Sequence, residues 1–206
     1  LVDSELLSAK ATAKALTEYG IPMDQETSLK LFTWITLDKA LVFIEEEYGV
    51  LLAADYLQRK AELTALEFKE FLKPVPGIID LLDGLSVPFC LASNSEHKRL
   101  KITLEYAKLA PYFVGQVHSA DDVPLGKPAP DLFLYAAKRN NISPDKCLVI
   151  DDSPTGIKAA SAAGMAAIGF VGGTHVGPGL SEKLLAHGAE WIMHSHMEVQ
   201  QLINSV

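Results

Sequence analysis

Cysteine is scarce in this chain: two residues in 206, Cys90 and Cys147, each set inside a short apolar run, "PFCLAS" and "KCLVID". Such a pair makes no disulfide framework and reads as two reduced thiols at strands. Positive charge is also in deficit. Eighteen Lys and Arg face 26 Asp and Glu, a formal net charge of −8, which excludes a protein built to grip a nucleic-acid backbone but leaves room for a small anion in a local positive pocket. No uncharged apolar stretch approaches about 18 residues, so no membrane span is expected. A secretory leader, internal repeats and low-complexity segments are not read either, and the expected setting is the cytoplasm. The opening "LVDSE" has no Met and looks like the end of a strand.

What is present is an ordinary globular composition, 49% hydrophobic and 21% charged, enough to bury a core. From Ser4 to Tyr19 apolar positions recur at helical spacing (Leu6, Ala9, Ala13, Leu16) until Gly20 and Pro22. The same period returns at Leu37, Ala40, Leu41, Ile44 and Tyr48, and again from Leu57 to Leu72. The acidic Glu45–Glu47 fits a solvated helix face. After Pro76 the pattern changes to short apolar runs, "PFCLAS", "VGQVHS", "CLVID", "AAIGF" and "AEWIM", alternating with helix-length segments such as 129–139 and 155–163. Strand and helix in alternation predict crossover units and a parallel sheet. The expected organisation is an α/β core from residues 1–9 and 76–206, with a helical insertion at 10–75.

Three places on this core carry chemistry. The run "LASNS" ends in Ser93 and Asn94, "GKPAPD" presents Lys127 from a turn, and "VIDDS" ends in Asp151 and Asp152. Ligands of an open parallel sheet bind outside the carboxyl ends of its strands, where these groups are expected to meet. Two adjacent carboxylates repel unless something positive lies between them or water solvates both. A hard divalent cation such as Mg²⁺ meets that need, with Lys127 and Ser93 available to a phosphate. Each element also has a plain reading: Ser-Asn as a turn or cap, Lys-Pro as a surface turn, "DDS" as a capping arrangement. Their order at successive strand ends is what joins them.

In these segments the chain resembles the haloacid dehalogenase superfamily, in the branch with a helical cap that includes phosphoglycolate phosphatases, sugar-phosphate phosphatases and β-phosphoglucomutases. "LASNS" resembles its second motif, "GKPAPD" its third and "VIDDSPTGIKAASAAGM" its fourth. The resemblance implies a Rossmann-like, doubly wound parallel sheet with an inserted α-helical cap. It also implies Ser93 and Lys127 as catalytic and phosphate-binding residues, Asn94 as a further substrate contact, and Asp151 and Asp152 as magnesium ligands. "LVDSE" resembles the tail of the first motif, whose nucleophilic aspartate would lie five positions before Leu1 and whose general acid/base three before. A strand would then precede Leu1 in the middle of the sheet, and the functional protein is expected to be longer.

The Asp-Asp pair favours phosphoryl transfer over dehalogenation, which attacks carbon and needs no cation. Ser8 stands where the mutases carry a histidine, which favours a phosphatase over a mutase. The implied activity is magnesium-dependent hydrolysis of a small phosphorylated metabolite, a sugar phosphate, through an aspartyl-phosphate, by a monomer. The alternatives are a phospholigand-binding pseudoenzyme and a phosphomutase. The segment "LKLFTWITLDKA" matches the cap loop that relatives use for specificity. Its Trp34 either shapes the pocket or serves the core, and Lys30 and Lys10 are possible contacts to a substrate anion. The glycine-rich "GFVGGTHVGPG" lacks the spacing of a dinucleotide or P-loop fingerprint; it is read as a loop beside the site, with His175 in a structural or surface role. "HSH" at His194–His196 is expected to face solvent.

Overall fold

The computed structural model describes residues 1–33, 35 and 37–205. The chain forms two compact units, Val2–Lys73 and Leu1 with Pro74–Val206.

The first unit is helical. Helix α1 (Glu5–Glu18) opens it and is continuous through residue 10. It ends where Gly20 takes φ +87°, a left-handed conformation that glycine adopts without a Cβ penalty. Helix α2 (Gln25–Phe32) follows, started by Asp24, whose carboxylate accepts the Thr27 N–H at 2.7 Å. It corrects the loop expected over "LKLFTWITLDKA": Leu29–Phe32 close α2, and Leu37–Ala40 open α3 (Leu37–Tyr48). Helix α4 (Tyr56–Phe71) completes the unit. Ala11, Ala15, Leu16, Ile21, Ile44, Tyr56 and Leu63 form its buried core, and the rings of Tyr19 and Tyr56 meet edge to face at 5.5 Å. At the surface the Arg59 guanidinium donates twice to Glu18, at 2.7 and 3.1 Å, joining α4 to α1. The Glu45–Glu47 run is solvated, as its composition suggests.

The second unit opens with α5 (Ile78–Gly84) and then alternates: β1 (Leu91–Ser93), α6 (His97–Tyr106), β2 (Val117–Ser119), α7 (Asp131–Arg139), β3 (Leu148–Asp151), α8 (Pro154–Ala162), β4 (Ala166–Phe170), α9 (Leu180–Ala186), β5 (Trp191–Met193) and α10 (His196–Ile203). All five apolar runs became strands, and among the described residues these five strands pair in parallel. β4, the middle strand of its ladder, is apolar on both faces, as a strand covered from two sides must be, with Ala167 and Ile168 fully buried. At Gly169 a Cβ would stand 2.8 Å from Ile192 and 2.9 Å from Leu184, so the missing side chain lets α9 and β5 close in.

The strands form two ladders, β1–β2 and β3–β4–β5, where the sequence suggested one sheet; no described strand pairs with both β1 and β3. Among the described residues no helix is long and apolar enough to cross a membrane. The two cysteines are free and partly buried, each one residue before the strand it was expected to join.

Candidate functional site

Lys127 links the ladders. Its Nζ donates at 2.7 Å to Asp151 Oδ2 at the end of β3, and lies 3.4 Å from the Ala92 carbonyl of β1. Both side chains of the ion pair are only 10% exposed, and the Phe133 ring lies 5.4 Å from the ammonium. With so little water available, the ammonium finds its stabilisation in carboxylate, carbonyl and ring together.

Asn94, the residue after Ser93, holds the Lys127 backbone. Its side-chain amide donates to the Lys127 carbonyl at 2.8 Å and its carbonyl accepts the Lys127 N–H at 2.7 Å. This two-point clamp copies a strand pairing and fixes the backbone from which the ammonium extends. Gly126 makes room for it: a Cβ there would sit 2.7 Å from Asn94 Oδ1. Ser93 ends β1 half-buried, its hydroxyl accepting the Ser95 N–H at 3.2 Å.

The two aspartates are held differently. Asp151 Oδ1 accepts from the Ser153 hydroxyl at 2.6 Å and the Ser153 N–H at 2.9 Å, while Oδ2 takes Lys127. Ser153 also starts α8 by accepting the Gly156 N–H at 3.0 Å, so one hydroxyl serves both helix and carboxylate. A Cβ on Gly156 would fall 2.0 Å from the Asp151 carboxyl carbon; the glycine is the floor on which that carboxylate rests. Burial pushes the Asp151 carboxyl up, but Lys127 and the Ser153 bonds outweigh it and hold it below the ordinary aspartate value.

Asp152 is the opposite case. Loss of solvation first, and the Asp151 charge second, push its carboxyl above the ordinary value, although 43% of the side chain remains open to solvent. One ammonium beside two carboxylates leaves net negative charge at an accessible oxygen, and a cation relieves that strain. Among the described residues no cluster of three His, Cys, Asp or Glu side chains stands ready to cage an ion. Two neighbouring carboxylates, the buried Asp151 and the solvent-open Asp152, suit Mg²⁺, which retains waters and takes phosphate oxygens, better than a metal that needs a full protein cage. The residues fit the ion.

A family profile of haloacid dehalogenase-like hydrolases matches residues 3–164. The chain belongs to this family. The haloacid dehalogenase-like relatives include a 6-phosphogluconate phosphatase of Escherichia coli (strain K12), 31% identical over 86% of this chain and 81% of that protein. A fructose-1-phosphate phosphatase of the same organism is 31% identical over 82% of this chain and 89% of its own length. Among solved structures, a haloacid dehalogenase-like protein from Agrobacterium tumefaciens superposes with TM-score 0.87 at 34% identity, covering 100% of this chain and 93% of that one. A family hydrolase from Deinococcus radiodurans, crystallised with phosphate and sodium, gives 0.83 at 29%, covering 100% and 91%. The α/β core with its helical cap is thus the haloacid dehalogenase-like fold.

Trp34 falls outside the described residues. Lys30 belongs to the helical unit, exposed and paired with Glu26 of its own helix at 2.8 Å. Lys10 of the same unit bonds Glu67 at 2.7 Å and lies over the Phe71 ring. His196, expected at the surface, is 3% exposed. It enters the interior at the start of α10, stacks on Phe170 at 4.5 Å and bonds the Pro76 carbonyl through Nδ1 at 2.9 Å. Alternation at a strand end does not persist once a helix begins, which is why the expectation fails. The residues that sequence reasoning passed over as site parts are Ser153 and Gly156, and the spacing "DSPTG" directly after the aspartates was the available signal.

Proposed function

We propose that this chain is a magnesium-dependent phosphatase acting on a small phosphorylated metabolite, with sugar phosphates as the first class to try. The observation that carries the reading is the buried Lys127–Asp151 pair, 2.7 Å long, beside the solvent-open and electrostatically strained Asp152. The phosphatase names of the relatives, two of them acting on phosphorylated sugars or sugar acids, support it.

In this reading Asp151 and Asp152 hold Mg²⁺, which when bound offsets charge on the phosphoryl oxygens. Lys127, held by Asn94, places its ammonium against the equatorial oxygens, and the Ser93 hydroxyl donates to another. The attacking carboxylate is assigned, on the family resemblance, to a segment preceding Leu1. Its oxygen forms a bond to phosphorus as the ester bond breaks, and the second aspartate of that segment protonates the departing alcohol. Water then cleaves the aspartyl-phosphate, releasing inorganic phosphate and restoring the carboxylate.

The test is phosphate release by the full-length protein from an aryl phosphate and a panel of sugar phosphates, with Mg²⁺ and with EDTA. The expected result is turnover that EDTA abolishes. Binding of phosphate esters without release, or release indifferent to EDTA, contradicts the reading.

A further inference from the structure

The loop from Gly172 to Gly179 contains four glycines in eight residues. Such a segment loses more conformational freedom on ordering than almost any other of its length. Its start is fixed by packing: a Cβ on Gly172 would stand 2.6 Å from the His194 carbonyl, and the Val171 N–H bonds the Met193 carbonyl at 2.8 Å. Its end passes into α9 through Gly179, whose carbonyl accepts the Lys183 N–H at 3.2 Å. Between these points a Cβ on Gly177 would meet nothing within 4 Å.

In the middle of this permissive stretch one large side chain turns inward. His175 is 3% exposed at its side chain, and its Nε2 lies 3.5 Å from Asp152 Oδ2. An imidazole buried this deeply in a glycine-rich loop acts as an anchor, and the group it reaches is the less firmly held of the two aspartates. We propose that His175 is a positioning residue of the cation site, orienting the Asp152 carboxylate and coupling the order of the 172–179 loop to occupancy by the metal. The proposal rests on the reading of Asp151 and Asp152 as cation ligands.

The physical basis is the support that ligand carboxylates receive from outer polar partners, here an Nε2–Oδ2 approach of 3.5 Å that is a close polar contact rather than a hydrogen bond. A ligand oxygen prevented from rotating away loses less entropy on binding the ion, and removal of such partners commonly lowers metal affinity 10- to 100-fold. The coupling is reciprocal: if the anchored loop favours metal binding, metal binding favours the anchored loop by the same factor.

The experiment uses the full-length protein, with Mn²⁺ as a paramagnetic substitute whose free fraction is read by electron paramagnetic resonance, and hydrogen exchange of the 172–179 amides with and without Mg²⁺. His175→Ala is expected to weaken Mn²⁺ binding about 10-fold or more, to speed exchange in the loop, and to abolish the extra protection that Mg²⁺ gives the wild type. His175→Gln, which keeps an N–H donor, is expected to recover part of both. Wild-type Mn²⁺ affinity in both variants, while Asp152→Asn loses it, overturns the role of His175 and leaves the phosphatase reading intact. Absence of Mn²⁺ binding in the wild type overturns both.

Discussion

The chemistry of this site is decided by which atoms are already engaged. Asp151 has Lys127 on one oxygen and Ser153 on the other, whereas Asp152 keeps an open face. Gly156→Ala puts a methyl into the space of the Asp151 carboxylate. The displacement it forces is expected to lower phosphate release about 100-fold, the scale for misplacing a reacting group by an ångström, with the helical unit unaffected. Asn94→Ala frees the backbone of Lys127, and steady-state kinetics are expected to show a fall in kcat/KM; Asn94→Asp, which retains the acceptor for the Lys127 N–H, loses less. The strand-end places of Ser93, Asp151 and Asp152 and the turn place of Lys127 were legible in the sequence, because short apolar runs precede the first three and Gly126 and Pro128 flank the fourth. The clamp by Asn94 and the inward turn of His196 were not, because both depend on a partner far away: Lys127 lies 33 residues from Asn94, and Pro76 lies 120 from His196.

Elements were readable where one physical signal dominated. The five strands followed from short apolar runs, and α1, α3 and α4 from their helical period and stops. α2 was missed because Leu29, Leu31 and Phe32 give too short a pattern, and the decisive feature is the Asp24 cap in front of them. α7 begins at Asp131 rather than at residue 129, since Pro128 and Pro130 disfavour helical conformation in the residues before them. At α8, one hydroxyl both caps the helix and bonds the carboxylate. Ser153→Ala is therefore expected to cost about 1 kcal/mol in denaturant unfolding as a lost cap, and in addition to lower activity, because Asp151 loses a donor. An unchanged unfolding midpoint contradicts the capping role.

At the scale of the whole chain, the acidic balance and the alternating pattern gave the class, while the separation of the strands into two ladders joined through Lys127 was visible only in three dimensions. The α/β unit also buries two histidines, His118 and His196, at 4% and 3% exposure. Burial lowers both from the ordinary value of 6.5, so below that pH the unfolded chain binds more protons than the folded one. Their contribution is intact above about pH 6.5 and is lost as pH falls toward their lower folded values. The thermal midpoint is expected to drop between pH 7.5 and 5, and less steeply in His196→Phe; an equal slope in the variant excludes His196 as a source. In the proposed reaction Asp151, Asp152 and Lys127 together receive a cation and a phosphate. A crystal of the full-length protein grown with Mg²⁺ and a phosphate mimic is the sharpest check. The expected result is an ion about 2.1 Å from an oxygen of these aspartates, with the mimic in contact with Lys127 Nζ and Ser93 Oγ; a corner without ion or mimic, and Lys127 turned elsewhere, contradicts it.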